Sequence, residues 1–384
     1  MIERRKKLTA FLFAPESDQW LGLLRVGLGL QVILYSLGLQ NDWIYLLGGA
    51  TESLNGRALS EGLLAEQSGF IPRLGWLISL AGSAGISDYT ALTLIWWTLF
   101  IAGLWLFLGF FSRGAAIVAW FIHLCVAKSG DLVAYGVDNF MTIGLFYLMW
   151  SPLPDRWSLD WRRRGKALTK DPRLLGFFRR VLQIHLCIIY LTSGIAKCLG
   201  SGWWNGSNVW RALTRPPFDV LPPEVLLHGK LFFPLAGVLI CLLEVAYPFL
   251  VWRRRTRLPA LLAICLMHVM IGLAMGMYLF ALVMIVLNLA AFGPEFSFRF
   301  ERIVFVWLKK EPCLDRLTRS VHLRFFQRAF LVGMSRLGGP HITMYTFRER
   351  ICSRPDSPEL KSLVIGTRSS PRPYVRRIHP RSPA

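Results

Sequence analysis

The sequence predicts an all-α fold, a polytopic transmembrane helix bundle of about eight spans with both termini on the cytoplasmic side. Three observations carry this expectation. Of 384 residues, 54% are hydrophobic and only 17% charged, and the mean hydropathy is +0.43, which is more apolar than an ordinary soluble domain. Apolar runs approaching the ~20 residues that cross a hydrocarbon core recur along the chain. Basic residues cluster between alternate runs, the pattern that sets membrane orientation.

Taken in order, residues 1–19 form a basic cytoplasmic N-terminus. After ERRKK the run LTAFLFAP is too short for a cleaved signal, and Pro15, Glu16 and Asp18 interrupt it, so the first span is expected to stay as an anchor. Spans are expected at 20–39, 90–111, 114–128, 136–150, 178–197, 231–251, 258–275 and 276–293. The third and fourth are short and the last two nearly continuous. The largest outer segments are 40–89, with FIPRLGWLISLAG lying at the interface, and 198–230. Residues 20–293 thus form the membrane domain. Residues 294–352 form a basic interfacial or cytoplasmic segment, in which FSFRFERIVFVWLKK mixes aromatics with cations as an amphipathic surface helix does. Residues 353–384 turn to Ser, Pro and Arg, with too little apolar surface to offset ordering entropy, and disorder is expected there.

The charges support this frame. With eight spans, 36 of the 44 Lys and Arg residues fall on the side that holds both termini, while Asp42, Glu52, Glu61, Glu66 and Asp88 lie on the other. The net charge of +21 is then explained by loops beside anionic lipid headgroups, as in the plasma (inner) membrane. No recognition motif accompanies it, so no nucleic-acid partner is expected. The seven cysteines show no CxxC or zinc spacing and read as small packing residues, and no metal site is predicted. Trp150, Trp157 and Trp161 flank the inner end of span four, and Trp203, Trp204 and Trp210 follow the outer end of span five, where amphipathic rings settle at headgroup level.

Ionisable groups inside spans are costly and usually face a protein interior or a water-filled cavity. Arg25, His123, Asp138, His185, Lys197, Glu244 and His268 are such groups. Arg25, near an inner end, is read either as snorkelling or as functional. His123 and His185 read as neutral core histidines. Glu244, in mid-span, has to be paired, hydrogen-bonded or protonated, in a structural or a catalytic role. Lys197, Asp138 and His268 form a set facing an outer vestibule. Leu186, Tyr190, Ser193 and Lys197 share one helical stripe, with Gly194 thinning the helix beside it. Taken alone, Lys197 also fits a snorkelling interfacial lysine.

Three segments together resemble the HTTM membrane domain, the family that includes vitamin K-dependent gamma-carboxylase. QIHLCIIYLTSGIAKCLGSGWWNG (183–206) carries Tyr190, Gly194, Lys197, Trp204 and Gly206 in the family's order. YGVDNFMTIGLFYLMWSPLPDRWSLD (135–160) resembles the fourth-span region with its Trp-Ser-x-Asp exit, and MHVMIGLAMGMYLF (267–280) a late span with a histidine. The resemblance implies quinol-dependent, carboxylase-like (lyase) chemistry with a reduced, vitamin K-like quinone as cofactor. It casts Lys197 as general base, Asp138 as its electrostatic partner and His268 as a second acid/base group, with Tyr190, Trp203 and Trp204 bordering the ligand. A lysine suits that task where its surroundings favour the neutral amine. The chain departs from the animal carboxylases at Ala196, where they have a second lysine, and at Asp138, where they have a histidine. It carries a basic tail where they have a large extracytoplasmic domain, so carboxylation of a protein glutamate is not carried over. The competing expectation is non-enzymatic, a membrane accessory protein for maturation, export or immunity of a partner peptide or protein.

Overall fold

The computed structural model describes residues 2–48, 56–164 and 170–294, and every element among them is helical. The amphipathic helix and the disorder expected beyond residue 294 lie outside the described residues. The basic N-terminus is itself a helix, α1 (Ile2–Leu12). α2 (Gln19–Leu39) is the first expected span, and the outer segment after it folds as α3 (Trp43–Leu47), α4 (Gly56–Gln67) and α5 (Leu74–Ser83). α6 (Asp88–Leu108), α7 (Ser112–Ser129) and α8 (Gly136–Trp150) follow, then the short α9 (Leu159–Arg164) and the long α10 (Pro172–Cys198). α11 (Ser201–Trp204), α12 (Ser207–Thr214) and α13 (Pro223–Gly229) fill the 198–230 segment, expected to be the second outer one. α14 (Phe232–Leu250), α15 (Arg254–Met275) and α16 (Tyr278–Phe292) complete the series.

All eight expected segments are therefore helices, but five of them, α2, α6, α10, α14 and α15, are long and apolar enough to cross a membrane. α8 and α16 have 15 residues each, about 22 Å at 1.5 Å per residue, against a core of roughly 30 Å. Local chemistry sets the ends that hydropathy blurred. α6 stops three residues short of the expected span because Gly109 adopts φ 72°, and its N–H and that of Phe110 turn back to the last carbonyls of the helix. α10 starts six residues earlier than expected, with Asp171 capping the N–H of Arg173 and Pro172 in the first turn. Gly276, at φ 69°, separates α15 from α16.

The bundle has two halves. α2 lies along α6, which packs on α7, and α7 on α8. In the other half α10 packs on α14, α14 on α15, and α15 on α16. α16 joins the halves by packing against both α2 and α8. α2 and α16 are accordingly the most enclosed helices, and Leu21, Leu24, Leu28 and Val32 have no exposed surface. Gly29 lets α2 approach the end of α6 so closely that a Cβ there would meet the backbone of Phe107. The five described cysteines are unpaired and buried or half-buried.

Arg25 does not snorkel. It is fully buried, its guanidinium donates to both carboxylate oxygens of Asp155, and Nη1 also donates to the carbonyls of Leu106 and Phe107. Arg25 thus satisfies carbonyls that the end of α6 leaves open. Its location near a helix end suggested reach to water, but the chain from 151 to 161 folds over that end and seals it. The Trp157-Ser158-Leu159-Asp160 segment makes the seal. Asp160 accepts from the N–H groups of Phe111 and Ser112 and from the Ser112 hydroxyl at the start of α7, and its own N–H returns to the carbonyl of Gly109. Ser158 accepts from the N–H of Trp161.

Candidate functional site

The site is built where α10 and α14 come closest. Gly194 makes that approach possible: a Cβ there would lie 2.8 Å from the backbone nitrogen of Val245 and 3.0 Å from Cβ of Glu244. One turn further along α10, Lys197 therefore faces Glu244. Its Nζ donates to Glu244 Oε2 at 2.7 Å and to the Ser193 hydroxyl. Trp203 lies over the same ammonium, 5.5 Å from ring centroid to Nζ. That ring is held in place because α11 rests on α14, at Gly237, where a Cβ would run into the carbonyl of Trp203. The left-handed Gly206 (φ 79°) then starts α12 against Phe233 and Pro234.

The pair is enclosed unequally. The Glu244 side chain is 8% exposed and that of Lys197 21%, so the carboxylate is interior and the ammonium sits at an opening. Near it in the chain Ile195, Leu199 and Trp204 are exposed, so this end of α10 and the α11 that follows it present apolar side chains on the surface. Trp204 is anchored there by its indole N–H, which donates to the carbonyl of Cys198 at 2.7 Å.

Seven residues back along the stripe, about 10 Å, lies a buried polar stack. Tyr190 OH is 2.9 Å from His268 Nε2 and accepts from Asn288 Nδ2 at 2.7 Å. Tyr247 OH donates to Asn288 Oδ1 at 2.6 Å, and the Tyr190 and Tyr247 rings meet edge to face at 4.8 Å. His268 Nδ1 is buried with no hydrogen-bond partner among the described residues. The stack ties together the same four helices, α10, α14, α15 and α16.

Of the residues expected to act together, the structure joins Lys197 with Trp203 and Tyr190 with His268. Asp138 is not the partner of Lys197. As the third residue of α8 it turns back on its own helix start, accepting from the N–H of Tyr135 at 3.0 Å, and Tyr35 OH donates to it at 2.9 Å. His123 Nε2 stands 3.8 Å from the same carboxylate. α8 packs on α7, α16 and α2, so this cluster belongs to the other half of the bundle. His123 and His185 have single hydroxyl partners, Thr142 and Tyr147.

Sequence reasoning required a partner for Glu244 without finding Lys197. It missed Asn288 and Tyr247 altogether. Asn288 could have been found, being the one amide in the apolar run YLFALVMIVLNLAAF. Tyr247 offers no signal, because a tyrosine in an apolar helix is ordinary packing material.

The HTTM domain family matches residues 82–295, more than half of the chain and the stretch that holds every residue of the α10–α14 site. No curated protein and no solved structure matches the chain. Its membrane-length helices and this match make it a multi-pass integral membrane protein that belongs to the HTTM domain family, the membrane-domain family of vitamin K-dependent gamma-carboxylase.

Proposed function

We propose that the Lys197–Glu244 pair is a proton-transfer site for a lipid-soluble hydroxyl compound, and that a reduced quinone is its cofactor. The observation that carries this reading is the unequal enclosure of one short ion pair, with its carboxylate inside and its ammonium at an apolar opening. The donor set fits a reduced quinone: Nζ and the Ser193 hydroxyl address an oxygen, Trp203 offers a ring face, and the exposed apolar side chains at this end of α10 and on α11, Leu199 and Trp204 among them, suit an isoprenoid tail. When bound, such a cofactor supplies a weakly acidic ring hydroxyl.

The protein's part is to accept that proton. An ammonium donating to a carboxylate has no lone pair of its own to offer. Passing one proton from Nζ to Oε2 along the 2.7 Å bond leaves Nζ as an amine with a lone pair, the form a general base requires. After taking a new proton, Nζ is an ammonium again and Glu244 holds the extra one. Lys197 is then the base and Glu244 the proton store. The buried stack of Tyr190, His268, Asn288 and Tyr247 fixes the spacing of the helices that carry the pair. On this reading all eight helices cross the membrane, the plasma (inner) membrane of the cell. The shorter α16 is enclosed among α2, α8 and α15, while α7 and α8 pack on each other and keep exposed apolar faces such as Ile117, Val118 and Phe146 for lipid, and both termini lie on the cytoplasmic side beside anionic lipid, where the basic segments gather.

The test is mass spectrometry of quinones and other lipids retained by the gently purified protein, comparing the native chain with Lys197→Met. The proposal expects a stoichiometric isoprenoid quinone that the variant loses. A folded native protein that retains none after reconstitution with a quinol would overturn it.

A further inference from the structure

At the far end of α10, some 40 Å from Lys197 by helix length, a second polar cluster takes no part in the proton chemistry. A cleft of about 450 Å³ opens between the start of α2, the 151–164 segment and the start of α10, lined by Glu16, Asp18, Arg156, Trp161, Lys170 and Leu175. Most of its charges are matched. Arg179 donates to Glu16 at 2.6 Å. Arg156 donates to Asp18 through both Nε and its backbone N–H. Lys170 is the remainder. Its Nζ is buried and has no hydrogen-bond partner among the described residues, and the carboxylate of Asp18 stands 3.7 Å away, an ion pair beyond hydrogen-bonding distance. Arg156 uses only Nε of its guanidinium on Asp18, so its two terminal nitrogens have no acceptor among the described residues.

Among the described residues, the cleft's donors without an acceptor are the buried Lys170 ammonium and the exposed guanidinium edge of Arg156. A buried ammonium that makes no hydrogen bond and has its carboxylate neighbour only at ion-pair distance is a costly arrangement that a folded protein keeps where something else supplies an acceptor. The complement of three ammonium N–H groups and a forked guanidinium edge is a compact anion with several oxygens, and arginine and lysine together are the usual donors to phosphate. The surroundings narrow the class further. Trp161 and Leu175 add an apolar side to the cleft, and exposed Trp157 lies on the same segment, with exposed Trp150 just before it at the end of α8, as rings do at headgroup depth. We infer that this cleft binds a singly charged phosphate group, with Lys170 and Arg156 as its ligands, of the kind that a membrane phospholipid carries at the headgroup level. Burial also holds the Lys170 ammonium below the ordinary lysine range despite the nearby carboxylates of Asp18 and Asp155, and an anion at Nζ would relieve that.

The experiment is a thermal-unfolding titration of the full-length protein in dodecylmaltoside micelles. One arm adds dihexanoylphosphatidylglycerol, the other glycerophosphoglycerol, the same singly charged phosphodiester without acyl chains. Lys170→Met and Arg156→Gln are compared with Arg162→Gln, which removes an exposed charge from the same end of the bundle outside the cleft. A saturable rise in Tm is expected for the native chain and for Arg162→Gln. Lys170→Met should weaken the apparent affinity about tenfold to a hundredfold, the value of one charge-assisted hydrogen bond. Before any addition Lys170→Met should be at least as stable as the native protein, so a lost response cannot be misfolding. A response to the phospholipid alone assigns the phosphate to lipid, and equal responses in both arms assign it to a soluble phosphate. No saturable response in either arm, or one that Lys170→Met leaves unchanged, overturns the site.

Discussion

Replacing Arg25 with Met should cost the fold about 3–5 kcal/mol, the usual effect of removing one member of a buried ion pair. The magnitude follows from what the guanidinium holds. It is fully buried, it grips both oxygens of Asp155, and it also serves the carbonyls of Leu106 and Phe107. Without it, the Asp155 carboxylate keeps the N–H of Trp157 at 2.9 Å and the weaker, more distant attraction of Lys170, and it stays fully buried. Met fills most of the volume, so the loss is electrostatic rather than a cavity. Asp155→Asn leaves the opposite charge stranded and should cost a similar amount. The double variant leaves neither charge, and its cost should fall short of the sum by roughly 1–3 kcal/mol, as coupled neighbours do. Reversible unfolding in mixed detergent micelles measures all three. A loss below about 1 kcal/mol for Arg25→Met, or strict additivity in the double variant, would refute the claim that this pair locks the end of the bundle.

Two further outcomes follow from the packing and from the cleft. Gly194→Ala places a methyl group against the Val245 backbone and should destabilise the bundle by about 1–3 kcal/mol as α10 and α14 are forced apart. Quinone retention should fall with it, and unfolding together with mass spectrometry reads both effects. The pH dependence of Lys170 has a definite sign. Because burial lowers its pKa in the folded state below the ordinary 10.5, the penalty is present in full below the folded pKa and is relieved as pH rises from there toward 10.5. Asp18 and Asp155 oppose the shift and Arg156 adds to it. The Tm advantage of Lys170→Met over the native chain should therefore shrink between pH 7 and pH 10, and an advantage that grows with pH would reverse the assignment.

Apolar run length made the helices legible, because hydrocarbon imposes the same demand on every crossing segment. It could not place their ends, which depend on single residues: the left-handed Gly109 and Gly276, and Asp171 with Pro172. Lys197 and Tyr190 were legible from their shared stripe on one helix. Which helix faces that stripe was not, since pairing across the bundle depends on close approaches such as Gly194 against Val245, and nothing in a single chain reports them. Asp138 illustrates the difference. Its position at the opening of an outer helix end matched that of Lys197, yet its carboxylate is bound to its own helix start and to Tyr35. Arg25 and Glu244 were identified as charges needing an explanation, and each has one in a partner that is distant in sequence.

If Glu244 stores the proton that Lys197 takes up, infrared difference spectroscopy will detect it as a protonated carboxyl. The protein, reconstituted in phosphatidylcholine nanodiscs, is recorded before and after addition of a reduced naphthoquinone, for the native chain, Glu244→Gln and Asp138→Asn. The account predicts a new protonated-carboxyl band in the native protein that persists in Asp138→Asn and is absent from Glu244→Gln. A band that survives in Glu244→Gln, or a bound quinol that protonates no carboxylate, would contradict it.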